Sequence, residues 1–312
     1  MKIANLTADF LDFSASEKKQ IEALGEYIEF PSPKNESELI ANISNANYAI
    51  ISPLENYIIS HHFFDASPHL KGISITTTWY HWIDTKLAQK RGIIVSNLGR
   101  YSKVPVGELA ISLIFALARK IPAADRATKE GYGRSSGLKG FELKGKVLGI
   151  IGLGSIGSYI AQLGQSLGMQ VIAYNRTTKE TELSLVSLEE LLQTADVIVI
   201  CLALNAETEN ILNLEKLSFV KPNSIIVNIG REGLIDQEAI YQLALQNKIG
   251  GYAFEIDEPR KMPIKQELIK LDSVIATPYI GWYTPETMQR IKQVTIANIR
   301  AMIEGTPINI VV

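Results

Sequence analysis

Three glycines open the chemistry of this sequence. Lys146–Gly157 reads KVLGIIGLGSIG, so an apolar run leads into Gly152-x-Gly154-x-x-Gly157. A helix-like stretch, SYIAQLGQSLG, follows, and then a second apolar run, QVIAY. Such a glycine pattern is common by itself. Between a strand and a helix, inside a βαβ unit of the right length, it points to a loop that cradles phosphates. Gly152 permits the tight turn, Gly154 lets a pyrophosphate approach the backbone, and Gly157 lets the helix pack against the strand. The helix start, with Ser155 and Ile156, offers an anion its free N–H groups and the positive end of its dipole. Asn175, Arg176, Thr177 and Thr178 close the second run. An acid at this point would accept from the ribose hydroxyls of NAD and repel a 2′-phosphate. Here a guanidinium and hydroxyls stand instead, which favours NADP(H) over NAD(H).

The elements that must position this loop are short and apolar. Runs at Tyr48–Ser52, Gly72–Thr76, Ile93–Val95, Lys146–Ile151, Gln170–Tyr174, Val197–Cys201, Ser224–Ile229, Gly251–Glu255 and Ser273–Thr277 alternate with helix-like segments. They are continuously apolar, which suits strands covered on both faces in parallel sheets of an α/β protein. A helix is expected over Val104–Lys120, started by Pro105. It is apolar on nearly every side and so should be buried all round, by two domains or by a second subunit. Gly131–Gly140 reads as a loop. A final helix is expected over Pro285–Glu304, stopped by Gly305 and Pro307.

Composition narrows the function classes. The 312 residues suffice for two domains. Lys plus Arg number 31 and Asp plus Glu 33, a net charge of -2, which gives no reason to expect nucleic acid or a membrane surface as partner. The single cysteine, Cys201, allows no disulfide within the chain and fits a cytoplasmic protein. It is expected to pack in a core. The first twenty residues carry Asp9 and Asp12 and do not read as a signal peptide. The apolar stretch Leu109–Ala118 is too short to span a bilayer. No metal-ligand cluster is expected. Asp236 is expected to cap a helix.

Several longer segments resemble the D-isomer-specific 2-hydroxyacid dehydrogenase family, in particular its glyoxylate/hydroxypyruvate reductases. LKGISITTTWYHWIDTKLAQKRGIIVSNLGRYSKVPVGELAISLIFALAR is similar to the family's hinge region and linker helix. CLALNAETENILN resembles the loop lining the nicotinamide side of the site, which implies cofactor contacts from Leu202, Ala203 and Thr208, with Ile229 beside them. FVKPNSIIVNIGREGLID and TPYIGWYTPETMQRIKQVTIANI resemble two further signatures, in the right order and spacing. The resemblance implies two Rossmann-like or flavodoxin-like domains with parallel sheets. The nucleotide-binding domain, 100–283, would be inserted into a discontinuous substrate domain, 1–99 plus 284–312. It implies a homodimer formed through the 104–120 helix.

The implied reaction is hydride transfer between NADP(H) and a 2-oxo acid or D-2-hydroxy acid. Arg231 matches the arginine that clamps the substrate's carboxylate and carbonyl oxygen, a target suited to its planar fork. Glu258 matches the glutamate that pairs with the acid-base histidine, although Ala253 or Glu255 stands near the position where the family has an aspartate. The histidine itself is replaced: the motif T-P-H-I-G reads Thr277-Pro278-Tyr279-Ile280-Gly281. All four histidines, His61, His62, His69 and His81, lie in the first hundred residues. Trp79 takes the place of a glycine in the substrate-binding loop beside Thr78. Tyr279 is then a proton donor, a residue that only shapes the site, or the mark of a site that no longer catalyses. A phenol titrates near pH 10, so it donates at neutral pH but is a slow base unless a cation lies close. The expectation is a reductase that uses Arg231, Glu258 and Tyr279. The alternative is a catalytically weak or inactive NADP(H)-binding regulator.

Overall fold

The computed structural model describes residues 1–43, 45–53, 58–133, 136–177, 180–256 and 263–312. The chain forms two compact units, Met1–Tyr101 with Thr284–Val312, and Ser102–Tyr283.

The first unit begins with β1 (Lys2–Asn5), α1 (Ala15–Glu22), β2 (Glu26–Glu29), α2 (Glu36–Ile43) and β3 (Tyr48–Ile51). It continues through α3 (His61–Asp65), β4 (Gly72–Ile75), α4 (Thr85–Lys90) and β5 (Ile94–Ser96). The five strands are parallel, in the order β2-β1-β3-β4-β5. Every residue of β3 and β4 is buried, which is why both read as unbroken apolar runs. The expected strands missed β1 and β2. β1 ends on the buried Asn5, whose amide donates to the Leu11 carbonyl (3.3 Å) and the Tyr27 hydroxyl (3.1 Å). β2 is an edge strand, EYIE, with charged residues at both ends. Neither has the apolar density of a central strand.

The second unit opens with α5 (Lys103–Ala118) and α6 (Ile121–Lys129), then β6 (Val147–Ile151), α7 (Ser155–Ser166), β7 (Gln170–Tyr174) and β8 (Ser184–Leu185). It continues with α8 (Leu188–Thr194), β9 (Val197–Ile200), α9 (Leu214–Leu217), β10 (Ile225–Asn228) and α10 (Gln237–Leu245). The last members are β11 (Gly251–Glu255), α11 (Pro263–Leu268) and β12 (Val274–Thr277). The seven strands are parallel, ordered β12-β11-β10-β9-β6-β7-β8. Successive residues of a strand feed opposite faces. Ile198 and Ile200 join the core under α8, α9 and α10, while Val197 and Val199 join the core under α5 and α7.

The expected bounds of the long helix are corrected. It ends at Ala118, and Lys120 adopts a left-handed conformation (φ 51°) before α6 starts with Pro122 in its first turn. Proline has no N–H for the carbonyl four residues back, here Ala118, and its ring crowds that carbonyl, so it stops α5 there and fits the first turn of a new helix. Nor is the helix buried all round within one chain. Pro105, Val106, Ala110, Leu113, Ile114 and Leu117 are buried, whereas Val104, Ser112 and Phe115 are exposed.

The chain then returns to the first unit as α12 (Pro285–Ile303), capped by Thr284, whose hydroxyl accepts from the Thr287 N–H (3.2 Å). Gly305 ends it at φ 75°. Within that unit the buried Asn298 of α12 donates to Ser74 (3.2 Å) and to the Asn97 carbonyl (2.8 Å), tying the helix to β4 and to the chain just past β5. Among the described residues no helix is long and apolar enough to cross a membrane.

Candidate active site

Because all strands of the second unit are parallel, their carboxyl ends form one edge of the sheet, and the loops there carry most of the residues singled out from sequence. After β6, Gly152 takes φ 99°, and its N–H donates to the Tyr174 carbonyl of β7 (2.9 Å). A Cβ there would press on Leu202 (2.7 Å) and the Cys201 carbonyl (3.1 Å). At Gly157 a Cβ would collide with the Gly152 carbonyl, so the helix can approach the strand only as glycine. Gly154 is the opposite case: a Cβ there would meet nothing within 4 Å. Gly154 is the N-cap of α7 and provides no side-chain cap. Its open side and the uncapped helix start, with Ser155 and Ile156 half-buried beside it, suit a pyrophosphate. The glycine cradle therefore fits a dinucleotide.

The loop after β7 carries Asn175, Arg176 and Thr177. Asn175 Oδ1 accepts from the Leu153 N–H (3.1 Å) and its Nδ2 donates to the Thr177 carbonyl (2.7 Å), so this side chain already links its loop to the glycine loop. Arg176 is exposed and forms an ion pair with Glu207. Thr178 lies outside the described residues. After β9 come Leu202, against the glycine turn, and the exposed Ala203. The Thr208 hydroxyl donates to the Ala203 carbonyl (2.7 Å) and accepts from the Asn205 N–H (2.9 Å), holding the loop in shape. Ile229 is buried just past β10. Cys201 packs against the core under α5, and burial pushes its thiol well above the usual range. It is therefore a packing residue and not a thiolate nucleophile. Asp236 caps α10 by accepting from the Ala239 N–H (3.0 Å).

Arg231 and Tyr279, from the ends of two different strands, are brought together. At the end of β10 the buried Asn228 shapes the corner: its Oδ1 accepts from the Gly230 N–H (3.0 Å) and its Nδ2 donates to the Arg231 carbonyl (3.0 Å). Past β12, Tyr279 sits at φ 54°, and its N–H donates to the Thr277 carbonyl (2.9 Å). A bulky residue seldom adopts positive φ, and positions held so cluster at functional sites. The Arg231 guanidinium lies over the Tyr279 ring, 4.5 Å from its centroid. Under the same turn lies the Glu255 carboxylate, 4% exposed at the end of β11. It accepts from the Gly281 N–H (2.9 Å) and the Thr277 hydroxyl (3.4 Å).

Glu258 falls outside the described residues. Thr78 and Trp79 belong to the first unit. Both are exposed: the Thr78 carbonyl accepts from Asn97 Nδ2 (3.0 Å), and the Trp79 carbonyl from the Thr77 hydroxyl (2.6 Å) and the Trp82 indole (3.0 Å). Trp82 is a core residue of that unit. No histidine occurs between Ser102 and Tyr283. Among the described residues no group of three or more His, Cys, Asp or Glu is placed to hold a metal ion.

Two positioning residues, Asn228 and Glu255, receive no role from the motifs, although Glu255 stands near the position where the family has an aspartate. Asn228 looks like the last letter of an apolar strand. Glu255 is one of three acids in FEIDEP, and its burial under Gly281 gives it a role that its place in the sequence does not.

Taken together, a doubly wound parallel sheet, a glycine cradle at its switch point and an arginine at a strand end define a dinucleotide-dependent oxidoreductase. The chain belongs to the D-isomer specific 2-hydroxyacid dehydrogenase family, whose NAD binding domain matches residues 111–281. Among its relatives are the hydroxypyruvate reductase of Thermotoga maritima, 34% identical over 88% of each chain, and the glyoxylate/hydroxypyruvate reductase HPR3 of Arabidopsis thaliana, 31% identical over 85% of this chain and 82% of that one. Among solved structures, an acyclic imino acid reductase in complex with NADPH and D-Arg is similar along both whole chains, with a TM-score of 0.88 at 29% identity.

Proposed function

We propose that this protein is an NADP(H)-dependent reductase that converts a 2-oxo acid to its D-2-hydroxy acid. The observation that carries the reading is the Arg231–Tyr279 pair, set on the carboxyl edge of the sheet that bears the glycine cradle. Arg231 holds the substrate carboxylate and draws electron density toward the carbonyl oxygen. Tyr279 gives its hydroxyl proton to that oxygen. A bound dihydronicotinamide supplies the hydride. A phenol carries its proton at neutral pH and so can serve as the donor in the reductive direction. Glu255 keeps the Tyr279 turn in place, and Glu258 stays the candidate partner of the proton donor. The guanidinium of Arg176, in a segment Asn175-Arg176-Thr177-Thr178 that supplies no acid for the ribose hydroxyls, supports NADP(H) over NAD(H). Thr78 and Trp79 are the candidate substrate contacts of the first unit. The relatives named as hydroxypyruvate reductases support a small hydroxy or keto acid.

A second reading is favoured by the missing imidazole. A protonated imine already carries its proton on nitrogen, so hydride addition at its carbon yields the amine with no acid from the protein. The solved neighbour crystallised with NADPH and D-Arg is an imino acid reductase, which adds weight to a C=N substrate.

Two broader statements accompany the proposal. The lone thiol fits an enzyme of the cytoplasm. A homodimer through α5 is supported by the apolar side chains that a single chain leaves exposed there, Val104 (40%) and Phe115 (38%).

The test is oxidation of NADPH and NADH against glyoxylate, hydroxypyruvate, pyruvate and phenylpyruvate, each with and without ammonium, for wild type and Arg231→Ala. Turnover without ammonium that collapses at least about a hundredfold in Arg231→Ala supports the 2-oxo acid reading. Turnover only with ammonium transfers it to the imine. Tight NADPH binding with no turnover on any substrate points to a binding protein instead.

A further inference from the structure

In the second unit the strand order runs β9-β6-β7, so the loops after β9 and β7 flank the glycine loop that follows β6. Arg176 stands on one flanking loop and Glu207 on the other, and the two side chains form an ion pair. The pair thus bridges the carboxyl end of β6. The order reverses there, with β7 and β8 leaving to one side and β9 to β12 to the other, the place where doubly wound folds bind ligands.

Both loops are tied down by bonds of their own. Asn175 fastens the β7 side through Leu153 and Thr177. On the β9 side, Asn205 Oδ1 accepts from the N–H groups of Glu207 (2.9 Å) and Thr208 (3.1 Å). The charged side chains themselves are 68% and 67% exposed. They can exchange partners without any rearrangement of the backbone.

We propose that Glu207 sets dinucleotide selectivity by occupying Arg176, as an internal carboxylate that competes with the 2′-phosphate for one guanidinium. This rests on the NADP(H) reading above. A guanidinium offers its planar fork to one bidentate anion at a time. The phosphate of NADP(H), carrying more charge than a carboxylate, displaces Glu207 and takes its place. The 2′-hydroxyl of NAD(H) has no charge with which to do so and leaves the pair intact. Glu207 therefore weakens the binding of NADP(H) and leaves NAD(H) untouched. The reading from sequence found the arginine but not its competitor, because Glu207 lies thirty-one positions further on, in a loop read only for cofactor contacts from Leu202, Ala203 and Thr208.

The experiment is titration of wild type, Glu207→Gln, Arg176→Ala and the double variant with NADPH and with NADH at fixed ionic strength. The expected result has three parts. Glu207→Gln lowers the Kd for NADPH about two- to fivefold, the span of an exposed ion pair, with the NADH value unchanged. Arg176→Ala raises the Kd for NADPH about tenfold or more. Adding Glu207→Gln to Arg176→Ala brings no gain, because the guanidinium in dispute is gone. An unchanged or raised NADPH Kd in Glu207→Gln overturns the proposal, and so does an equal gain in the double variant, which would mark a general charge effect. If Arg176→Ala leaves the NADPH-to-NADH ratio unchanged, the NADP(H) reading itself fails and takes this inference with it. If Arg176→Ala weakens NADPH while Glu207→Gln does nothing, only the competition fails.

Discussion

The proposed chemistry turns on Tyr279, and the environment of this side chain sets what substitutions should do. Its ring carries the Arg231 guanidinium, while its hydroxyl is the group proposed to give up a proton. Tyr279→Phe keeps the ring and removes the proton. The expected outcome is a kcat lower by about 10²–10⁴ with little change in KM, measured by steady-state reduction of the best 2-oxo acid. An imine substrate would show almost no loss in the same assay. Glu255 acts one step further out. It is buried and accepts from Gly281 and Thr277 in the Tyr279 turn. Glu255→Ala takes the carboxylate from the Gly281 N–H and leaves the Thr277 hydroxyl only the Phe254 carbonyl, and should cost about 1–3 kcal/mol, read as a fall in Tm and in the denaturant midpoint. A wild-type Tm in that variant would mean the turn is held by other contacts. These residues illustrate what spacing reveals. Gly152, Gly154 and Gly157 are recognisable because backbone geometry forbids other residues at two of them. Glu255 is one acid among several in the sequence, and only burial gives it a role.

At the scale of elements, the amino ends of three strands meet at one carboxylate. Asp196, between α8 and β9, accepts from the Val147 N–H at the start of β6 (3.0 Å) and from Lys221 ahead of β10 (2.6 Å). Burial alone would raise its carboxyl, but the Lys221 ammonium and the Val147 N–H outweigh that and hold it below the usual carboxylate range. A carboxyl lowered in the folded state contributes stability above its unfolded value. That contribution is lost as pH falls through the folded value. Between pH 7 and pH 5 the Asp196→Asn protein should therefore be less stable than wild type by about 1 kcal/mol, a modest figure because Lys221 is partly solvated. Below about pH 4 the two should converge. Parallel melting curves from pH 2.5 to 7 would check it, and a constant gap across that range would deny Asp196 the role. The helices were less legible than the strands. Val104–Lys120 reads as one long apolar helix, yet the break at Lys120 and the new helix at Ile121 follow from Pro122. Apolar content marks what can be buried; it does not say where a helix must stop.

For the whole molecule, the exposed apolar side chains of α5 and α6 raise the question of assembly. Val104, Phe115 and Ile121 are 40%, 38% and 53% exposed in one chain. If α5 forms the proposed dimer, sedimentation of wild type should give a dimer mass, and Phe115→Glu should shift it toward monomer by placing a charge in an apolar interface. A wild-type monomer at micromolar concentration would instead leave those residues as ordinary surface. The discontinuous first unit is a second matter of whole-chain organisation. Its last helix returns from the far end of the sequence and is clipped to the sheet through Asn298, a contact between residues more than two hundred positions apart.

The sequence by itself determined the parallel α/β class, the central strands and the dinucleotide cradle. Strands buried on both faces leave an unbroken apolar trace, and a phosphate loop demands glycine at set intervals. It also shows Thr277-Pro278-Tyr279-Ile280-Gly281, the motif on which the proposed role of Tyr279 rests. The tertiary structure alone decided that Arg231 covers Tyr279, that Glu255 pins the turn beneath it, and that Glu207 occupies Arg176. Each of these joins residues on separate strand ends, brought close by the order of strands in the sheet. That order is settled by packing and crossover geometry over the whole domain, and no local run of letters encodes it.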